Sequence, residues 1–485
     1  MGTRGTIIGG GVGRLLRTTA LAIVTAVLAL GPTGADAHAA PLAALRATQR
    51  PNIVFILTDD QRWDTLQWMP NVKRLLVDHG VTFTNAFVPN GLCCPSRVSI
   101  LTGQYSHTNG VWDNTAPFGG YTAFHGDHST IATWLHAAGY DTALIGKYLN
   151  QYKAAAESGD YPPGWDTWIS FAENNGKYTD YDLTVNGHLE GHHNTDWIRD
   201  FSTDLLTDRA VHYIRNTSGP FFLYFAPFAP HEPYDEFPPA DECPALPKYD
   251  SESFGEEDVS DKPAYVNDRD WTAKDLQTSA RIRAGQCRML SGVDRSVARI
   301  VSTLEATNQL SNTMIVFMGD NGYMWGEHRL FHKGRPYDEA NHIPMVVRYD
   351  PWTSSPRTES RIALNLDIAP TFAALGDANA PGVEGRSLVP LLKGEQVSWR
   401  QAFLLEHTAD AGKADVQSPD YCGLRSVNWM YAMYLWGAEE LYNLRSDPAE
   451  MVNLARVPSA QAQLKAMREA MLRRCDPLPP RFPER

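Results

Sequence analysis

Two adjacent cysteines lie in the segment with the clearest chemical potential. Residues 92–97 read Leu-Cys-Cys-Pro-Ser-Arg. Pro95 is typical of the first turn of a helix and Gly103 of its carboxyl end, which places Cys93 just ahead of a helix N-terminus. Free N–H groups at such an end attract anions, and Arg97, one turn further, can direct its guanidinium to the same point. The segment therefore predicts an anion site beside Cys93.

Oxygen-bearing side chains form a second group, placed directly after two apolar runs. Its members are Asp59, Asp60, Asp320 and Asn321. Taken separately, either pair is at least as typical of a turn or a helix cap as of a functional site. Together they offer only oxygen ligands, which a hard cation such as Ca²⁺ or Mg²⁺ prefers and zinc does not. Three histidines lie in a polar run that we interpret as a solvated loop: His188, His192 and His193.

The apolar runs that precede these side chains have the length and composition of buried strands. They are residues 52–57, 140–145, 220–226 and 314–318, and they lead to Asp59, Lys147, His231 and Asp320. Helical periodicity fills the intervals at 69–80, 130–138, 204–216 and 275–306. Strands that alternate with helices predict an α/β fold with a parallel or mixed sheet covered by helices. In such sheets, functional sites form at the carboxyl ends of the strands.

The composition changes after about residue 391. Short runs at 402–405, 429–435 and 440–444 predict antiparallel strands, and Ser459 can cap a final helix that reaches Arg474. Residues 232–271, by contrast, are rich in proline and acidic side chains, which is typical of a solvated surface excursion. We therefore expect a small β-rich subdomain at the carboxyl end of the chain.

The first residues predict export. Arg4, Arg14 and Arg17 precede an apolar run at 18–30, and small residues frame Asp36 at the position a signal peptidase reads. We interpret 1–37 as a signal peptide and 38–50 as a linker; the alternative is an uncleaved membrane anchor. No later stretch is long and apolar enough to cross a bilayer, so we expect a secreted, periplasmic or cell-surface protein without stable membrane insertion.

Six cysteines fit an exported protein, in which disulfides persist. A bridge between the adjacent Cys93 and Cys94 would be strained. The other four cysteines allow three connectivities. Of these we favour Cys243–Cys287 and Cys422–Cys475, because each pair is the nearest in sequence.

The overall composition excludes several classes of protein. Hydrophobic residues make up 43% of the 485 residues and charged residues 20%, which is a globular balance rather than that of a disordered chain. The net charge is −13. A nucleic-acid partner would require a basic surface, so we expect no nucleic-acid binding.

These motifs resemble the signature of the type I sulfatases. Cys-x-Pro-Ser-Arg at 93–97 is followed by Leu-Thr-Gly at 101–103. Further matches are Asp-Asp-Gln at 59–61, Gly-Lys-Tyr at 146–148, Ala-Pro-His at 229–231, Gly-Asp-Asn-Gly at 319–322, Gly-Glu-His at 326–328 with Lys333, Asp-Ile-Ala-Pro-Thr at 367–371 and Glu-Leu-Tyr-Asn-Leu at 440–444. The resemblance implies an alkaline-phosphatase-like sandwich, with a catalytic domain at 51–391 and the β-rich subdomain at 392–485.

The resemblance also implies the roles of individual residues. A formylglycine-generating enzyme would convert Cys93 to formylglycine, the nucleophile. A divalent cation, usually Ca²⁺ with Mg²⁺ as the alternative, would be bound by Asp59, Asp60, Cys93 in its modified form, Asp320 and Asn321. Arg97 would stabilise the hydrated aldehyde, Lys147 and Lys333 would hold sulfate oxygens, and His231 would hydrogen-bond the sulfate or its leaving oxygen.

One departure from the family pattern indicates which group of sulfatases the chain resembles. Leu149 stands where many sulfatases carry a histidine, and the surrounding Lys-Tyr-Leu-Asn at 147–150 is similar to N-acetylglucosamine-6-sulfatases and extracellular endosulfatases. His107 also fits that group, and either lines the substrate pocket or belongs to a turn. Trp165 and Trp168 are either a platform for a sugar ring or core residues.

The resemblance and the charge together suggest a substrate. A long sulfated glycan favours a basic groove, which a net charge of −13 opposes. We therefore expect a chain-end sulfate, such as the 6-O-sulfate of N-acetylglucosamine. Two alternatives remain open: a phosphate or phosphonate monoester hydrolase on the same fold, and a catalytically silent protein that binds sulfated glycans because Cys93 is never modified.

Overall fold

A computed structural model describes residues 50–173, 175–193, 198–235, 242–353, 355–409 and 419–483. The predicted signal peptide, and the linker up to residue 49, lie outside the described residues. Residues 50–485 form one compact unit. Within the described ranges, no helix combines the length and apolar character that crossing a bilayer requires.

A ten-stranded mixed sheet forms the centre of the molecule, in the order β13-β2-β12-β9-β1-β8-β4-β5-β6-β7. The strands up to β14 are β1 Asn52–Thr58, β2 Val81–Phe83, β3 Ala86–Phe87, β4 Asp141–Gly146, β5 Thr167–Phe171, β6 Tyr181–Val185, β7 His188–His192, β8 Phe221–Ala226, β9 Thr313–Gly319, β10 Met324–Trp325, β11 Phe331–His332, β12 Met345–Arg348, β13 Arg357–Glu359 and β14 Ala363–Leu364. The four strands expected from apolar runs are confirmed as β1, β4, β8 and β9, and all four pair in parallel.

Helices cover both faces of this sheet, as the α/β pattern predicts. They are α1 Pro70–Leu75, α2 Cys93–Thr102, α3 Ser106–Asn109, α4 Ile131–Ala137, α5 Lys153–Ser158, α6 Ser202–Asn216, α7 Ala264–Asn267, α8 Ala273–Ala306, α9 Asp338–Asn341, α10 Ile368–Gly376, α11 Val389–Leu392 and α12 Gln461–Leu472. Strand β1 shows how the two layers share the sheet: Ile53 and Phe55 pack with α2, α4 and α10, whereas Val54 and Ile56 pack with α6 and α8. Alternation of side chains along a strand produces this division.

A four-stranded antiparallel sheet forms the carboxyl end of the chain. Its strands are β15 Ala402–His407, β16 Tyr421–Ser426, β17 Trp429–Tyr434 and β18 Glu439–Asn443, and α12 packs against it. The sequence predicted three of these strands but not β16, whose Cys, Gly and Arg residues lack an apolar pattern. The predicted cap at Ser459 is wrong, because Ser459 lies in a short 3₁₀ turn and Ala460 precedes α12.

The disulfides and one histidine segment complete the comparison with the sequence. Both favoured bridges, Cys243–Cys287 and Cys422–Cys475, are confirmed. The solvated loop expected around residues 188–193 is corrected in part. Residues 188–192 form β7, and His192 is buried against the Tyr181 ring, with centroids 5.1 Å apart. The apolar ring of Tyr181 on the neighbouring strand accounts for that burial.

Candidate active site

The carboxyl ends of adjacent strands bring the predicted site residues together. β1 and β9 pair in register, with Thr58 opposite Gly319, so the acidic residues that follow the two strands are neighbours. Lys147 follows β4 and His231 follows β8, the next strands along the sheet. Cys93 and Lys333 arrive at the same edge from α2 and from the turn after β11.

Cys93 is the first residue of α2 and not the residue just ahead of it, because Leu92 is the N-cap. At the other end of the helix, Gly103 adopts φ 70°, the left-handed conformation expected of a glycine cap. Cys93 Sγ lies 3.3 Å from Asp59 Oδ1 and 2.7 Å from Lys333 Nζ. Burial, together with the Asp59 carboxylate, raises the pKa of the Cys93 thiol. The unmodified side chain is therefore a protonated thiol at neutral pH.

The acidic side chains form a connected and buried group. The Asp60 N–H donates to Asp320 Oδ1 at 3.1 Å, and Asn321 Nδ2 donates to Asp60 Oδ1 at 2.7 Å. Asp320 Oδ2 accepts a 2.8 Å hydrogen bond from Arg97 Nε. The other Asn321 side-chain atom, Oδ1, is a buried acceptor with no hydrogen-bond partner among the described residues. An acceptor of that kind is free to bind a cation.

Cationic side chains surround these carboxylates. Lys147 Nζ donates to Asp59 and Lys333 Nζ donates to Asp60, while the Arg97 guanidinium lies 3.5 Å from Asp59 Oδ2. Burial opposes ionisation of Asp59, but the positive charges, that of Lys147 first, hold its pKa well below the usual range. The site thus opposes three buried acids with three cations, of which Lys333 is partly exposed.

His231 forms the side of the site that faces a cavity. Its Nδ1 lies 2.7 Å from the Glu232 carbonyl oxygen, which only accepts, so Nδ1 carries a proton and Nε2 faces Asp60 Oδ2 at 3.6 Å. Burial lowers the pKa of this imidazole. A cavity of about 370 Å³ lies beside it, lined in part by Phe228, Tyr234 and Arg281.

The donor set fits a hard divalent cation. The ligand atoms of Asp59, Asp60, Cys93 and His231 lie within 4.8 Å of one another. With Asn321 Oδ1, oxygen atoms dominate the set, as Ca²⁺ and Mg²⁺ require. Of the predicted metal group, Asp320 differs from the others, because Arg97 and the Asp60 N–H occupy its two oxygens.

Several residues of the site were not anticipated from the sequence. Gln286 Nε2, from the middle of α8, donates to the Asp60 carbonyl oxygen at 3.3 Å, and Ser96 Oγ donates to the Asp320 carbonyl oxygen. Arg62 forms a buried ion pair with Glu327. The motif at 326–328 contains Glu327, but nothing in the sequence indicates which basic residue it meets.

The residues considered for sugar specificity are placed away from solvent. Trp165, Trp168 and Leu149 are all buried in the core beneath the sheet, so the alternative of core residues is correct for both tryptophans. His107 Nδ1 lies 2.8 Å from Glu406 Oε2, and the imidazole stacks on Tyr105. His107, in α3, thus has a structural partner in the Glu406 carboxylate of β15.

Known proteins are similar to this chain in both sequence and fold. The Sulfatase family model matches residues 51–378, and the model for N-sulphoglucosamine sulphohydrolase, C-terminal, matches residues 326–476. The chain is 30% identical over 463 residues to a Homo sapiens N-acetylglucosamine-6-sulfatase, with 84% of this chain and 82% of that relative covered. It is 32% identical over 387 residues to a Drosophila melanogaster extracellular sulfatase SULF-1 homolog, which covers 74% of this chain and 33% of the relative.

A solved structure gives the same result at the level of the fold. A protein in complex with its substrate, D-glucosamine-2-N,6-O-disulfate, superposes with a TM-score of 0.72 at 25% identity, covering 88% of this chain and 98% of that chain. The alkaline-phosphatase-like fold that the motifs implied is thereby confirmed.

Proposed function

The chain belongs to the sulfatase family and is a sulfuric ester hydrolase, and we propose that it removes the 6-O-sulfate of N-acetylglucosamine at a chain end through a formylglycine made from Cys93. The observation that carries the proposal is the position of Cys93 at the start of α2, with Sγ in contact with Asp59 and Lys333. A nucleophile at this point lies beside cations that can offset the charge of a sulfate ester and beside acids that can hold a metal ion.

The modified side chain and the cation supply the chemistry that the unmodified residues lack. When present, the hydrated aldehyde would supply one hydroxyl to displace the alcohol from sulfur and a second hydroxyl whose deprotonation would expel inorganic sulfate and restore the aldehyde, and the cation would offset the ester's negative charge. Asp59, Asp60 and Asn321 Oδ1 would hold Ca²⁺, with Mg²⁺ as the alternative, and Asp320 would complete the group. Maturation would require a formylglycine-generating enzyme as a partner.

The other residues of the site bind and orient the ester. Lys147 and Lys333 would bind sulfate oxygens, because both carry a positive charge. Their contacts with Asp59 and Asp60 place that charge at the site. Arg97, held by Asp320, would stabilise the hydrated form of residue 93. His231 would donate from Nε2 to the sulfate or its leaving oxygen in the imidazolium form, because in the neutral form its proton lies on Nδ1, toward the Glu232 carbonyl.

The size of the cavity and the net charge of the protein favour a small substrate. The cavity of about 370 Å³ beside His231 is of the size that holds a single sugar unit. A net charge of −13 opposes a long polyanion. The N-acetylglucosamine-6-sulfatase relative supports the same sugar, and the glucosamine disulfate bound in the structural neighbour supports a sulfated amino sugar.

We also propose export and a two-part organisation. Two disulfides are typical of an oxidising compartment, and one relative is an extracellular sulfatase. The signal peptide at 1–37 would direct this export. The catalytic part would span 51–391 and the β-rich part 392–485.

A comparison of specificity constants tests the substrate. We expect kcat/KM for N-acetylglucosamine 6-sulfate to exceed that for galactose 6-sulfate and choline sulfate by at least about tenfold, which corresponds to about 1.4 kcal/mol of differential transition-state binding. A phosphonate monoester is tested alongside, to distinguish a sulfatase from a phosphate or phosphonate monoester hydrolase on the same fold. A better rate on that ester would overturn the substrate assignment, and binding without turnover by protein that contains formylglycine would overturn the enzyme mechanism.

A further inference from the structure

A second group of ligand-type side chains is buried away from the candidate active site. His328 follows β10, Glu339 lies in α9 and Glu450 follows β18. Their exposed fractions are 0%, 8% and 1%, and their ligand atoms lie within 4.8 Å of one another. We propose that these three side chains bind a structural transition-metal dication, with Zn²⁺ as the best match.

Each of the three residues has one unpaired side-chain atom. His328 Nε2, Glu339 Oε2 and Glu450 Oε1 are buried and have no hydrogen-bond partner among the described residues. Leaving such an atom unpaired in a protein interior is energetically unfavourable. A single cation would satisfy all three atoms at once.

The remaining atoms of these side chains are held in the orientation that metal ligands need. His328 Nδ1 lies 2.6 Å from Glu256 Oε2, so Nδ1 carries the proton and Nε2 carries the lone pair that a metal ion could bind. Histidines that bind metals commonly donate their other N–H to a carboxylate in this way. Glu450 Oε2 accepts the Asp338 N–H at 3.1 Å, which leaves Oε1 as the free atom.

The charge of the group also calls for a cation. The ammonium group of Lys262 donates to the backbone oxygens of Glu450 and Met451 and lies 3.4 Å from Glu256 Oε1. Among the described residues, no ion pair joins a lysine or arginine to the carboxylate of Glu339 or of Glu450.

The ligand types select the ion. One imidazole nitrogen with two carboxylate oxygens suits Zn²⁺, whereas Ca²⁺ takes oxygen ligands alone. Zinc–ligand bonds of about 2.0–2.2 Å place two ligands at most about 4.4 Å apart, so the three side chains need to close by only a few tenths of an ångström. The ion would join the segment that leads to Lys333 with the carboxyl-terminal part of the chain.

Zinc retention by the full chain tests the proposal. Protein stripped with chelator is loaded with Zn²⁺, desalted and analysed for metal. We expect about one zinc per chain in the wild type and at least tenfold less in Glu450→Gln and in His328→Gln. Zinc should also raise the melting temperature of the wild type but not of these variants.

Two control variants locate the ion. Glu440→Gln alters a buried glutamate whose oxygens already accept from tyrosine hydroxyls, and should retain zinc. Asp60→Asn alters the candidate active site and should also retain it. Variants that melt at the temperature of the zinc-free wild type are folded and can be compared. A wild type that retains no zinc overturns the proposal, as does a zinc content that Asp60→Asn removes and Glu450→Gln does not.

Discussion

At the scale of single residues, Cys93 and Cys94 are neighbours with different surroundings. Both side chains are buried, but Cys93 Sγ contacts Asp59 and Lys333, whereas Cys94 packs in the apolar core with Val98 and Leu101. Successive residues of a helix point in different directions, which accounts for the difference. One thiol therefore faces the candidate site and the other supports it.

The two cysteines should respond differently to substitution. Cys93→Ala removes the proposed source of the nucleophile and should lower sulfate-ester turnover by at least about 10³-fold. Cys94→Ala removes only a buried sulfur, costs about 1–2 kcal/mol of stability and should keep most of the activity. Turnover of an aryl sulfate measures both. An equal loss in the two variants would show that Cys93 has no special role.

The acids of the site should couple metal content to rate. Asp59→Asn is nearly isosteric but removes a charge that a hard cation needs, so calcium content and kcat should both fall at least tenfold. Asp294→Asn is the matched control: Asp294 is buried, but its carboxylate accepts backbone N–H groups at the start of α1. Metal analysis and kinetics are compared for the two. Full activity of wild-type protein after exhaustive chelation would contradict the coupling.

At the scale of elements, one buried ion pair fixes the segment that carries Lys333. Glu327 and Arg62 are both fully buried, and the Arg62 guanidinium also stacks on the Trp325 ring at 4.0 Å. The pair thus connects the residues after β1 with the turn between β10 and β11. The position of Lys333 depends on that connection, since it lies six residues further along the chain.

Removal of one partner should destabilise the fold. Glu327→Gln leaves the Arg62 charge buried with only Asp64 as an ionic partner, and should lower the free energy of unfolding by about 3 kcal/mol. Asp78→Asn breaks the exposed pair with Lys73 and should cost less than about 1 kcal/mol. Chemical denaturation of both variants supplies the comparison. Equal and small losses would show that the buried pair contributes little.

Elements with strong apolar patterns could be predicted, and those specified by distant partners could not. The runs that became β1, β4, β8 and β9 are buried on both faces, so their hydrophobicity is continuous and visible in the sequence. β16 and β7 have no such pattern and form because neighbouring strands pair with them. The motifs likewise indicated the acids and lysines, but not which carboxylate each lysine contacts, because those contacts join residues far apart in the chain.

At the scale of the whole molecule, the carboxyl-terminal sheet packs close behind the site. The Glu406 N–H donates to the Pro89 carbonyl oxygen at 2.9 Å, and His407 Nδ1 lies 3.2 Å from Asn90 Oδ1, shortly before α2 begins. Phe403 packs on Phe87, with ring centroids 5.1 Å apart. The contact between the carboxyl-terminal sheet and the segment before α2 should therefore contribute to the stability of the whole molecule.

A buried histidine at this contact predicts a pH dependence of stability. Burial, with Arg335 and Arg481 nearby, lowers the pKa of His407 from 6.5 to about 3. The unfolded chain therefore binds a proton between pH 6.5 and 3 that the folded chain does not, and stability falls as the pH falls through that range, by up to about 5 kcal/mol. His407→Gln should flatten the profile of urea midpoint against pH, whereas His128→Gln, at an exposed site, should not. Parallel profiles for all three proteins would contradict this role.

The central claim is that an active molecule carries an aldehyde at residue 93. Mass spectrometry of the tryptic peptide 75–97 distinguishes the thiol from the aldehyde, which is lighter, in preparations whose sulfate release has been measured. We expect the aldehyde fraction at Cys93 to rise in proportion to activity across preparations made with and without a formylglycine-generating enzyme. A fully active preparation that contains only the thiol form of this peptide would contradict the account.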